Sequence, residues 1–483
     1  MKSVVMIAYW FPPDGSAGAY RPLRFVRHLP AHGWRASVVA AELGPDGWGR
    51  YDPDLLALVP AGTQVVRVRN RDPWQRLQAW RARNAVAAAA PSAAEPAAAS
   101  PPARLRPRIR AAVQKLEAWC YHPDPDMGWI RPAAAAASEM CARQGASVIW
   151  ATGGPWSAFV AGARASARTG LPYVLDFRDS WTLTRNEIFE ARRPAWAAAR
   201  DRSTLRRLFA RAQAVVLRYE TEAECYLRLY GGALDPRKIH LIPNGFEGEV
   251  DDSTPPRGDR CTLLYAGTLT FYRWDTLLDA VAELARRDPG RAGRLRIRFV
   301  GEENRDVALR AAALGIDGIV EVSGPKSAAE AARLAREAHV LLMLERRPSM
   351  KGHELLAGAK LFGYLKAGRP IAGVLPAGEA LRILQSLGLR TLAAVDSPQE
   401  IRRLLTELVD AWSAGTLARL RPDAAACMRF SAERQSAALA RALEGLAALE
   451  PFVPGRLEIP ASLRADLEPR RPGGVLVGSP SEA

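Results

Sequence analysis

The sequence has few of the residues that build metal sites and disulfide frameworks. Among 483 residues there are five cysteines and six histidines, and no two cysteines form a Cys-x-x-Cys pair. Zinc sites and redox pairs depend on closely spaced ligands, so this scarcity predicts a reduced, cytoplasmic protein without a structural metal. The widely spaced cysteines are Cys120, Cys141, Cys225, Cys261 and Cys427.

Long apolar runs are missing as well. The apolar run at residues 3–9 is too short for the core of a signal peptide and instead predicts a first strand. The longest uncharged window, residues 145–163, approaches the length of a membrane span, but Gly153, Gly154 and Pro155 interrupt it. We therefore expect no transmembrane helix.

The loop after the first predicted strand lacks both common nucleotide-binding motifs. Residues 11–18 contain neither Gly-x-Gly-x-x-Gly nor the Gly-Lys-Ser/Thr of phosphate-binding NTPase loops. Dinucleotide-binding enzymes and those NTPases are therefore disfavoured. The loop does contain Gly15 and Gly18, which let the backbone come close to a ligand.

What the sequence has is a regular alternation of short apolar runs and amphipathic stretches. At 483 residues, 48% of them hydrophobic, the chain is long enough for two or three domains. Such alternation is typical of α/β proteins with parallel sheets. The pattern predicts strands at 3–9, 35–40, 147–151, 173–176, 214–217, 239–242, 262–266, 295–300, 319–323, 340–344 and 370–374, and helices at 19–31, 156–169, 220–229, 274–286, 307–314, 328–337 and, closed by Gly368, from about 360.

A segment rich in glycine and proline divides this pattern in two. Residues 244–260 hold three glycines and two prolines among charged residues, which indicates an interdomain linker. We therefore expect two doubly wound domains, at 1–245 and 261–429, joined by a linker at 246–260. Ligands of such sheets bind at the carboxyl ends of the strands, so the cleft between the domains is the expected site.

The net charge of +16 falls mainly on the first half of the chain. Residues 1–250 hold 34 Lys and Arg against 22 Asp and Glu, and residues 67–115 hold eleven against two, with Trp74 and Trp80 among them. This Ala- and Pro-rich insertion suits an anionic membrane surface or a charged acceptor. Arginines on a solvated face explain it equally well. Nucleic acid is disfavoured because no binding motif for it accompanies the charge.

Charged side chains follow the predicted strand at 173–176. Asp176, Arg178 and Asp179 stand at its carboxyl end, where such groups orient a hydroxyl, take up a proton or stabilise a leaving phosphate. An Arg–Asp pair that merely pins the loop is the alternative. We regard the three residues as candidate catalytic residues.

The second predicted domain offers cations beside glycine turns. Gly267 and Thr268 follow its first strand, with Arg273 just beyond, and a guanidinium there can bind two phosphate oxygens at once. Arg273 is also compatible with a plain surface position. Lys360 lies at the start of the helix closed by Gly368, where backbone N–H groups favour an anion such as phosphate. The alternative there is an ordinary crossover helix with a solvated lysine.

Five short motifs follow one another along the chain. They are Tyr9-Trp10-Phe11-Pro12-Pro13, Asp176-Phe177-Arg178-Asp179, Ile242-Pro243-Asn244-Gly245, Tyr265-Ala266-Gly267-Thr268-Leu269, and Lys360-Leu361-Phe362 through Ala367-Gly368-Arg369-Pro370-Ile371. In this order they resemble the family 4 retaining glycosyltransferases of bacterial surface-polysaccharide synthesis, from residue 1 to about 445. The resemblance implies a GT-B fold, in which the first of two facing Rossmann-like domains holds the acceptor and the second holds the nucleotide-sugar donor.

The resemblance also implies roles for individual residues. Asp176, Arg178 and Asp179 would line the acceptor side, Lys326 would sit near the nucleobase, and a helix within 430–450 would cross back onto the first domain. Transfer would need neither a metal nor a cofactor. Residues 451–483 show no sustained periodicity and are expected to form a flexible tail. The implied donor-binding residues are Gly15, Gly18, Asn244, Gly267, Thr268, Arg273, Lys326, Glu354 and Lys360.

One pair of positions departs from the family pattern. The usual two glutamates, eight positions apart, are replaced by Leu355 and Gly363, and the second of them commonly holds the donor ribose. Glu354, next to the first position, offers a shifted carboxylate. The loss of one charged hydrogen bond costs roughly 1.5–3 kcal/mol, about ten- to a hundredfold in affinity.

The expected function is transfer of a sugar from a nucleotide diphosphate to a lipid-linked or glycan acceptor at the cytoplasmic face of the membrane. The departures at Leu355 and Gly363 favour an alternative, a catalytically silent binding or scaffold protein of the same fold. A sugar-nucleotide epimerase with the GT-B fold is a third reading. It is disfavoured because a basic insertion has no role with a small soluble substrate.

Overall fold

The computed structural model describes residues 1–42, 51–71, 121–184, 195–269, 272–302, 305–344, 352–447 and 463. Within these residues the strands form two parallel sheets, one of seven strands and one of six. Helices connect successive strands and cover the sheets. The expected α/β class with two doubly wound, Rossmann-like domains is confirmed.

The first domain contains the larger sheet and five α-helices of the described part. Its strands are β1 (Lys2–Ala8), β2 (Trp34–Ala41), β3 (Val65–Val68), β4 (Val148–Gly153), β5 (Tyr173–Phe177), β6 (Ala214–Leu217) and β7 (Ile239–Leu241). Its helices are α1 (Ala17–His28), α2 (Ile130–Gln144), α3 (Ser157–Thr169), α4 (Ala195–Arg211) and α5 (Glu220–Tyr230). The strand order is β3-β2-β1-β4-β5-β6-β7.

The second domain repeats this organisation. Its strands are β8 (Cys261–Ala266), β9 (Leu295–Val300), β10 (Val320–Ser323), β11 (Val340–Leu344), β12 (Ile371–Leu375) and β13 (Leu392–Ala394). Its helices are α6 (Asp275–Arg287), α7 (Pro289–Gly293), α8 (Arg305–Ala313), α9 (Ala328–Glu337), α10 (Ala359–Ala367), α11 (Glu379–Ser386), α12 (Pro398–Ser413) and α13 (Ala424–Cys427). The strand order is β10-β9-β8-β11-β12-β13.

Both faces of the first sheet are buried, which explains why its strands are almost continuously apolar. Along β1, Val5 and Ile7 belong to the core formed with helices α2 to α5, whereas Val4 and Met6 belong to the core formed with α1. Successive side chains of a strand point to opposite faces, so a strand covered on both sides needs apolar residues at every position.

A final helix, α14 (Ala432–Glu444), returns to the first domain. Its Leu439 and Leu443 pack in the same core as α1. The segment before it pairs with the interdomain linker, because the backbone N–H of Phe246 donates to the carbonyl of Phe430 at 3.1 Å and that of Ala432 donates to the carbonyl of Phe246 at 2.8 Å. The second domain is thus joined to the first by two adjacent chain segments.

Several elements differ from the sequence-based prediction. Strand β3 and helices α2 and α4 were not predicted, nor were α11, β13 and α12 in the second domain. Helix α1 begins at Ala17, so Gly18 lies in its first turn and not in the preceding loop. Of the predicted insertion at 67–115, residues 67–71 are described and the rest lies outside the described residues. Of the predicted tail, Leu463 is described, buried in the core of the first domain, and the other residues lie outside.

No helix among the described residues is long and apolar enough to cross a membrane.

Candidate active site

The carboxyl ends of the two sheets define the candidate site. In each sheet the strand order reverses beside the first strand, between β1 and β4 in one domain and between β8 and β11 in the other. The loops leaving neighbouring strands diverge at such a point and open a crevice for a ligand. Most of the predicted site residues lie in the loops that follow β1, β5 and β8, or at the start of α10.

Asp176 is the most tightly held of the predicted catalytic residues. Its buried carboxylate accepts hydrogen bonds from Arg21 Nε (2.9 Å) and Nη2 (2.7 Å) and from Thr152 Oγ1 (2.8 Å). Arg21 also donates to the carbonyls of Ile242 and Pro243, at 2.9 Å each. Both carboxylate oxygens are therefore engaged within the protein. Asp176 is thus paired with an arginine of α1, whereas the Arg–Asp pair within the loop is formed by Arg178 and Asp179.

Arg178 lies beside the first turn of α1. Its Nη2 donates to the carbonyl of Gly154 at 2.6 Å and lies 3.1 Å from Asp179 Oδ2. A Cβ added to Gly18 would lie 3.1 Å from Arg178 Nη1 and 2.5 Å from Cδ1 of Trp10. The glycine therefore makes room for the indole ring and the guanidinium, and a larger residue at position 18 would push both aside.

Asp179 is the carboxylate of this loop that solvent reaches. Its side chain is 51% exposed, against 16% for its partner Arg178. Behind it, Trp181 is buried and stacks on Trp156 with a centroid distance of 5.4 Å. Of the two predicted carboxylates, Asp179 is thus the one that an acceptor hydroxyl can approach.

The remaining predicted residues of the first domain lie at its edge near the linker and before α1. Asn244 Oδ1 accepts a long hydrogen bond, 3.4 Å, from Arg21 Nη1. Gly15 lies in the turn before α1, where the backbone N–H of Ser16 donates to Asp14 Oδ1 at 2.7 Å. Arg21 thus links Asn244 to Asp176.

In the second domain Lys360 and Gly267 are in contact. A Cβ at Gly267 would lie 2.5 Å from Lys360 Nζ, so only a glycine leaves room for this lysine. The ammonium donates to Tyr265 Oη at 2.6 Å and lies 4.5 Å and 4.3 Å from the ring centroids of Tyr265 and Tyr272. Two aromatic rings thereby fix the cation at the carboxyl end of β8, in a cation–π arrangement.

The turn after β8 is held from both sides. Gly267 has φ of +137°, a conformation that side-chain-bearing residues rarely adopt. The hydroxyl of Tyr265 donates to the carbonyl of Thr268 at 3.0 Å, and the backbone N–H of Ala266 donates to the hydroxyl of Tyr364 at 3.0 Å. Burial raises the pKa of Tyr364 well above its usual value, so this hydroxyl stays protonated.

Helix α10 begins beside this turn. Its N-cap residue is Gly358, which offers no side chain to the first backbone N–H groups, and it ends at Gly368 in the left-handed conformation. The uncapped start therefore leaves N–H groups for an anion, and Lys360 is the second residue of the helix.

Arg273 is engaged away from Lys360. Its guanidinium forms a close ion pair with Asp396 and donates to Thr276 Oγ1 at 3.2 Å, with Asp275 3.9 Å away. Asp396 follows β13, on the far side of β12 from β11. For the predicted diphosphate clamp to form, Arg273 would have to exchange the Asp396 carboxylate for phosphate.

Lys326 and Glu354 occupy different surroundings from Lys360. Lys326 follows the edge strand β10, is 38% exposed and lies 3.3 Å from Glu330. Glu354 faces the first domain, close enough to α5 to act on the charge of Cys225. Burial, with a smaller contribution from acids that include Glu354, raises the pKa of the Cys225 thiol to about 12. The structure therefore does not gather all the predicted donor residues around one point.

The two positions that depart from the family pattern differ in environment. Gly363 is exposed on α10, and a Cβ there would meet no atom within 4 Å. Leu355 is fully buried, and it packs in the core of the first domain. Next to it, a Cβ on Gly352 would lie 2.6 Å from the carbonyl oxygen of Leu183. The segment at 352–355 thus docks on the first domain, whereas position 363 faces open space.

Sequence reasoning missed Arg21 and the two tyrosines around Lys360. Tyr265 and Tyr272 flank the glycine turn already singled out, so their position beside it was the available signal. No local signal pointed to Arg21, because its partner Asp176 is 155 residues away. Among the described residues no group of three or more His, Cys, Asp and Glu side chains is placed to hold a metal ion.

Comparison with known proteins agrees with this geometry. The model of Glycosyltransferase Family 4 matches residues 21–249, which run from α1 to the linker. The structure resembles the apo form of lipopolysaccharide outer core galactosyltransferase WaaB with a TM-score of 0.54 and 11% identity, over 92% of this chain and 99% of that chain. Over residues 21–249 the chain is thus similar to the family 4 glycosyltransferases.

A second structural neighbour is sucrose-phosphate synthase from Thermosynechococcus elongatus. The TM-score is 0.51 at 14% identity, over 92% of this chain and 95% of that chain. At such identities the likeness shows the fold alone, and that fold is the predicted GT-B fold. No curated protein matches the chain in sequence.

Proposed function

We propose that this protein transfers a sugar from a nucleotide diphosphate sugar to a lipid-linked or glycan acceptor, with retention at the anomeric carbon and without a metal ion. The family match and the fold support glycosyl transfer with a nucleotide-sugar donor and a glycan acceptor. The stereochemistry, a lipid-linked acceptor, a cytoplasmic location at the membrane and a role in surface-polysaccharide synthesis belong to the proposal.

The observation that carries the proposal is the position of Lys360. Its ammonium is held between two tyrosine rings and against Gly267, at the start of a helix without a side-chain cap and where the strand order of the second sheet reverses. A diphosphate carries charge that an ammonium and a helix start both stabilise. These groups stabilise the leaving diphosphate as the bond to the sugar breaks, which is the part usually played by a divalent cation.

On the acceptor side, Asp179 and Arg178 are the groups that remain available. Asp176 has both oxygens bound by Arg21 and Thr152, so its role here is to hold α1 and β5 together. The exposed carboxylate of Asp179 accepts a hydrogen bond from the attacking hydroxyl and orients it. Arg178 fixes the carboxylate from the other side at 3.1 Å.

Thermal shift with a panel of nucleoside diphosphates tests this function. A ligand at one hundred times its Kd stabilises the native state by about 2.7 kcal/mol, so the correct nucleotide raises Tm measurably. The Lys360→Met variant should bind that nucleotide roughly ten- to a hundredfold more weakly, because a charged contact is lost. Lys366→Met is the matched control, since Lys366 is exposed in the last turn of the same helix. A panel without any shift, or equal affinity for wild type and Lys360→Met, contradicts the proposal.

A second candidate is a catalytically silent protein that binds nucleotide sugars. The open space beside Gly363 and the burial of Leu355 favour it, because neither position presents a carboxylate to a donor. Product analysis with a nucleotide-sugar panel separates the candidates. Transfer or hydrolysis by the wild type supports the transferase. Binding without turnover, restored by Gly363→Glu, supports the silent protein, and conversion of the sugar without any acceptor supports an epimerase.

A further inference from the structure

Helices α3 and α4 form a cationic face on the outside of the first domain. Five arginines of α4 are exposed, and Arg164 and Arg168 are exposed on the adjoining helix α3. The opposite side of α4 is apolar, with Leu205 and Phe209 fully buried in the first core. The exposed arginines of α4 are Arg200, Arg202, Arg206, Arg207 and Arg211.

No acidic side chain offsets this charge on the two helices. Helix α3 contains none, and the one acid of α4 is Asp201. Asp201 is turned inward and is 5% exposed, with His122 Nδ1 3.0 Å from its carboxylate. The exposed charge of α3 and α4 is therefore positive throughout.

The end of α4 nearest the candidate site carries an exposed aromatic ring. Trp196 is 42% exposed in the first turn of the helix. Because α4 connects β5 to the parallel strand β6, it starts at the carboxyl ends of the strands, where Arg178 and Asp179 lie. Tryptophan favours the boundary between water and the apolar part of a bilayer, where its ring is half buried.

We propose that the exposed side of α3 and α4, with Trp196, docks on an anionic lipid bilayer. The two helices together present a broad face of one sign, which matches the negative surface of such a bilayer, and the indole supplies an apolar contact. Each arginine near an anionic bilayer strengthens binding about fivefold. A duplex nucleic acid is less well matched, since neither helix projects from the domain to enter a groove.

This docking surface rests on the proposed function for its purpose. A lipid-linked acceptor lies in a bilayer, and α4 begins at the carboxyl ends of the strands, where Arg178 and Asp179 lie, so docking brings this loop close to the bilayer. Binding to vesicles itself requires neither donor nor acceptor. A failure of docking therefore leaves the transferase proposal standing, and a failure of nucleotide binding leaves the docking proposal standing.

Vesicle sedimentation of the full-length protein tests the proposal. The probes are vesicles of phosphatidylcholine alone and vesicles with about 30% phosphatidylglycerol, at about 0.1 M and about 0.5 M salt. We expect binding to the anionic vesicles at low salt, little binding to the neutral ones, and weaker binding at high salt. Equal binding to both kinds of vesicle overturns the proposal.

A triple variant and a matched control locate the surface. Arg200→Gln, Arg202→Gln and Arg211→Gln together should weaken binding to anionic vesicles roughly a hundredfold, as three factors of about five multiply. The control removes the same charge from exposed positions of the second domain, Arg390→Gln, Arg403→Gln and Arg419→Gln. Equal affinities of the two triple variants overturn the proposal.

Two control measurements accompany the comparison of the triple variants. Circular dichroism and thermal melting of both triple variants confirm that each is folded, which is expected because all six side chains are exposed. Binding of duplex DNA is measured in the same buffers. If the protein binds duplex DNA but not vesicles, and the α4 variant loses the DNA binding, the surface is assigned to nucleic acid. That outcome overturns the bilayer proposal.

Discussion

Arg21 Nη2 lies 2.7 Å from Asp176 Oδ1, and both side chains are buried. A buried charge is costly unless it is paired and its remaining hydrogen-bonding groups are satisfied. Here the other guanidinium hydrogens reach the carbonyls of Ile242 and Pro243, and Thr152 bonds the carboxylate. The pair thus fastens α1, β4 and β5 to the chain that leaves the first domain.

Replacement of Asp176 should therefore act on stability. We expect Asp176→Asn to lower the free energy of unfolding by about 3–5 kcal/mol, because Arg21 would keep its charge in a buried site without a counter-ion. Urea unfolding followed by tryptophan fluorescence measures the change. Glu139→Gln is the control, since its ion pair with Arg143 is solvated and should contribute less than about 1 kcal/mol. A loss for Asp176→Asn no larger than that of the control would show that the pair is not structural.

Replacement of Gly363, one of the two positions that depart from the family pattern, should increase stability. A glycine inside a helix costs about 0.5–1 kcal/mol relative to alanine, and a Cβ at position 363 would meet nothing within 4 Å. Gly363→Ala should therefore raise the free energy of unfolding by about that amount. Chemical denaturation and Tm report it.

Gly162 provides the matched contrast, because it is also a glycine in a helix interior. Its added Cβ would lie 2.9 Å from the Cβ of Ala151 on the underlying strand. Overpacking of this kind costs about 1–3 kcal/mol. Gly162→Ala should therefore destabilise the protein while Gly363→Ala stabilises it, and the same sign for both would contradict the packing described here.

Leu355 is predicted to hold the second domain against the first. It is fully buried among residues of the first core, so Leu355→Ala should cost about 2–5 kcal/mol. Leu356, its partly exposed neighbour, provides the control substitution Leu356→Ala. Calorimetry separates the unfolding of the two domains. A Leu355→Ala variant that unfolds like the Leu356→Ala variant would place the leucine outside the interdomain contact.

The parts of the fold that the sequence predicted well are those with a strong local signal. Helix α9 and strand β11 have the predicted bounds, and Gly368 ends α10 in the left-handed conformation as expected of a C-terminal glycine. Helix α2 was missed because three of its six buried residues are alanines, which give little contrast with the exposed side. Helix α4 was missed because eight of its 17 residues are charged or polar and five of the other nine are alanines, which give little hydrophobic contrast.

The candidate site was predicted only as far as local patterns reach. Gly267 and Lys360 were each found from a turn and a helix start, yet their contact depends on the packing of α10 against β8, which no local pattern encodes. Arg273 was assigned to phosphate without knowledge of Asp396, which follows a strand that was not predicted. Asp176 was assigned to chemistry because Arg21 reads as an ordinary exposed residue of an amphipathic helix.

The contact between α5 and α11 predicts a dependence of stability on pH. Glu379 is buried at the start of α11, and this burial raises the pKa of its carboxyl. Hydrogen bonds from Thr221 and Arg382 partly offset the rise, and the nearby charge of Glu222 adds to it. Arg382 bridges the domains, since it donates to Glu379 Oε1 at 2.9 Å and to the hydroxyl of Thr221. The unfolded chain loses the proton near the usual value of 4.5, whereas the folded protein keeps it to higher pH.

Between the pKa of Glu379 in the unfolded chain and its higher pKa in the folded protein, the folded state holds more protons. The stability of the protein therefore falls as pH rises through this range. Glu379→Gln removes that loss. The stability of the variant relative to wild type should therefore increase as pH rises above the usual value of 4.5, measured by urea unfolding at several pH values. Glu407→Gln, at an exposed position of α12, is the control and should show a difference that stays nearly constant. If the advantage of Glu379→Gln stays flat or shrinks as pH rises, the carboxyl is not held protonated by its burial between the domains.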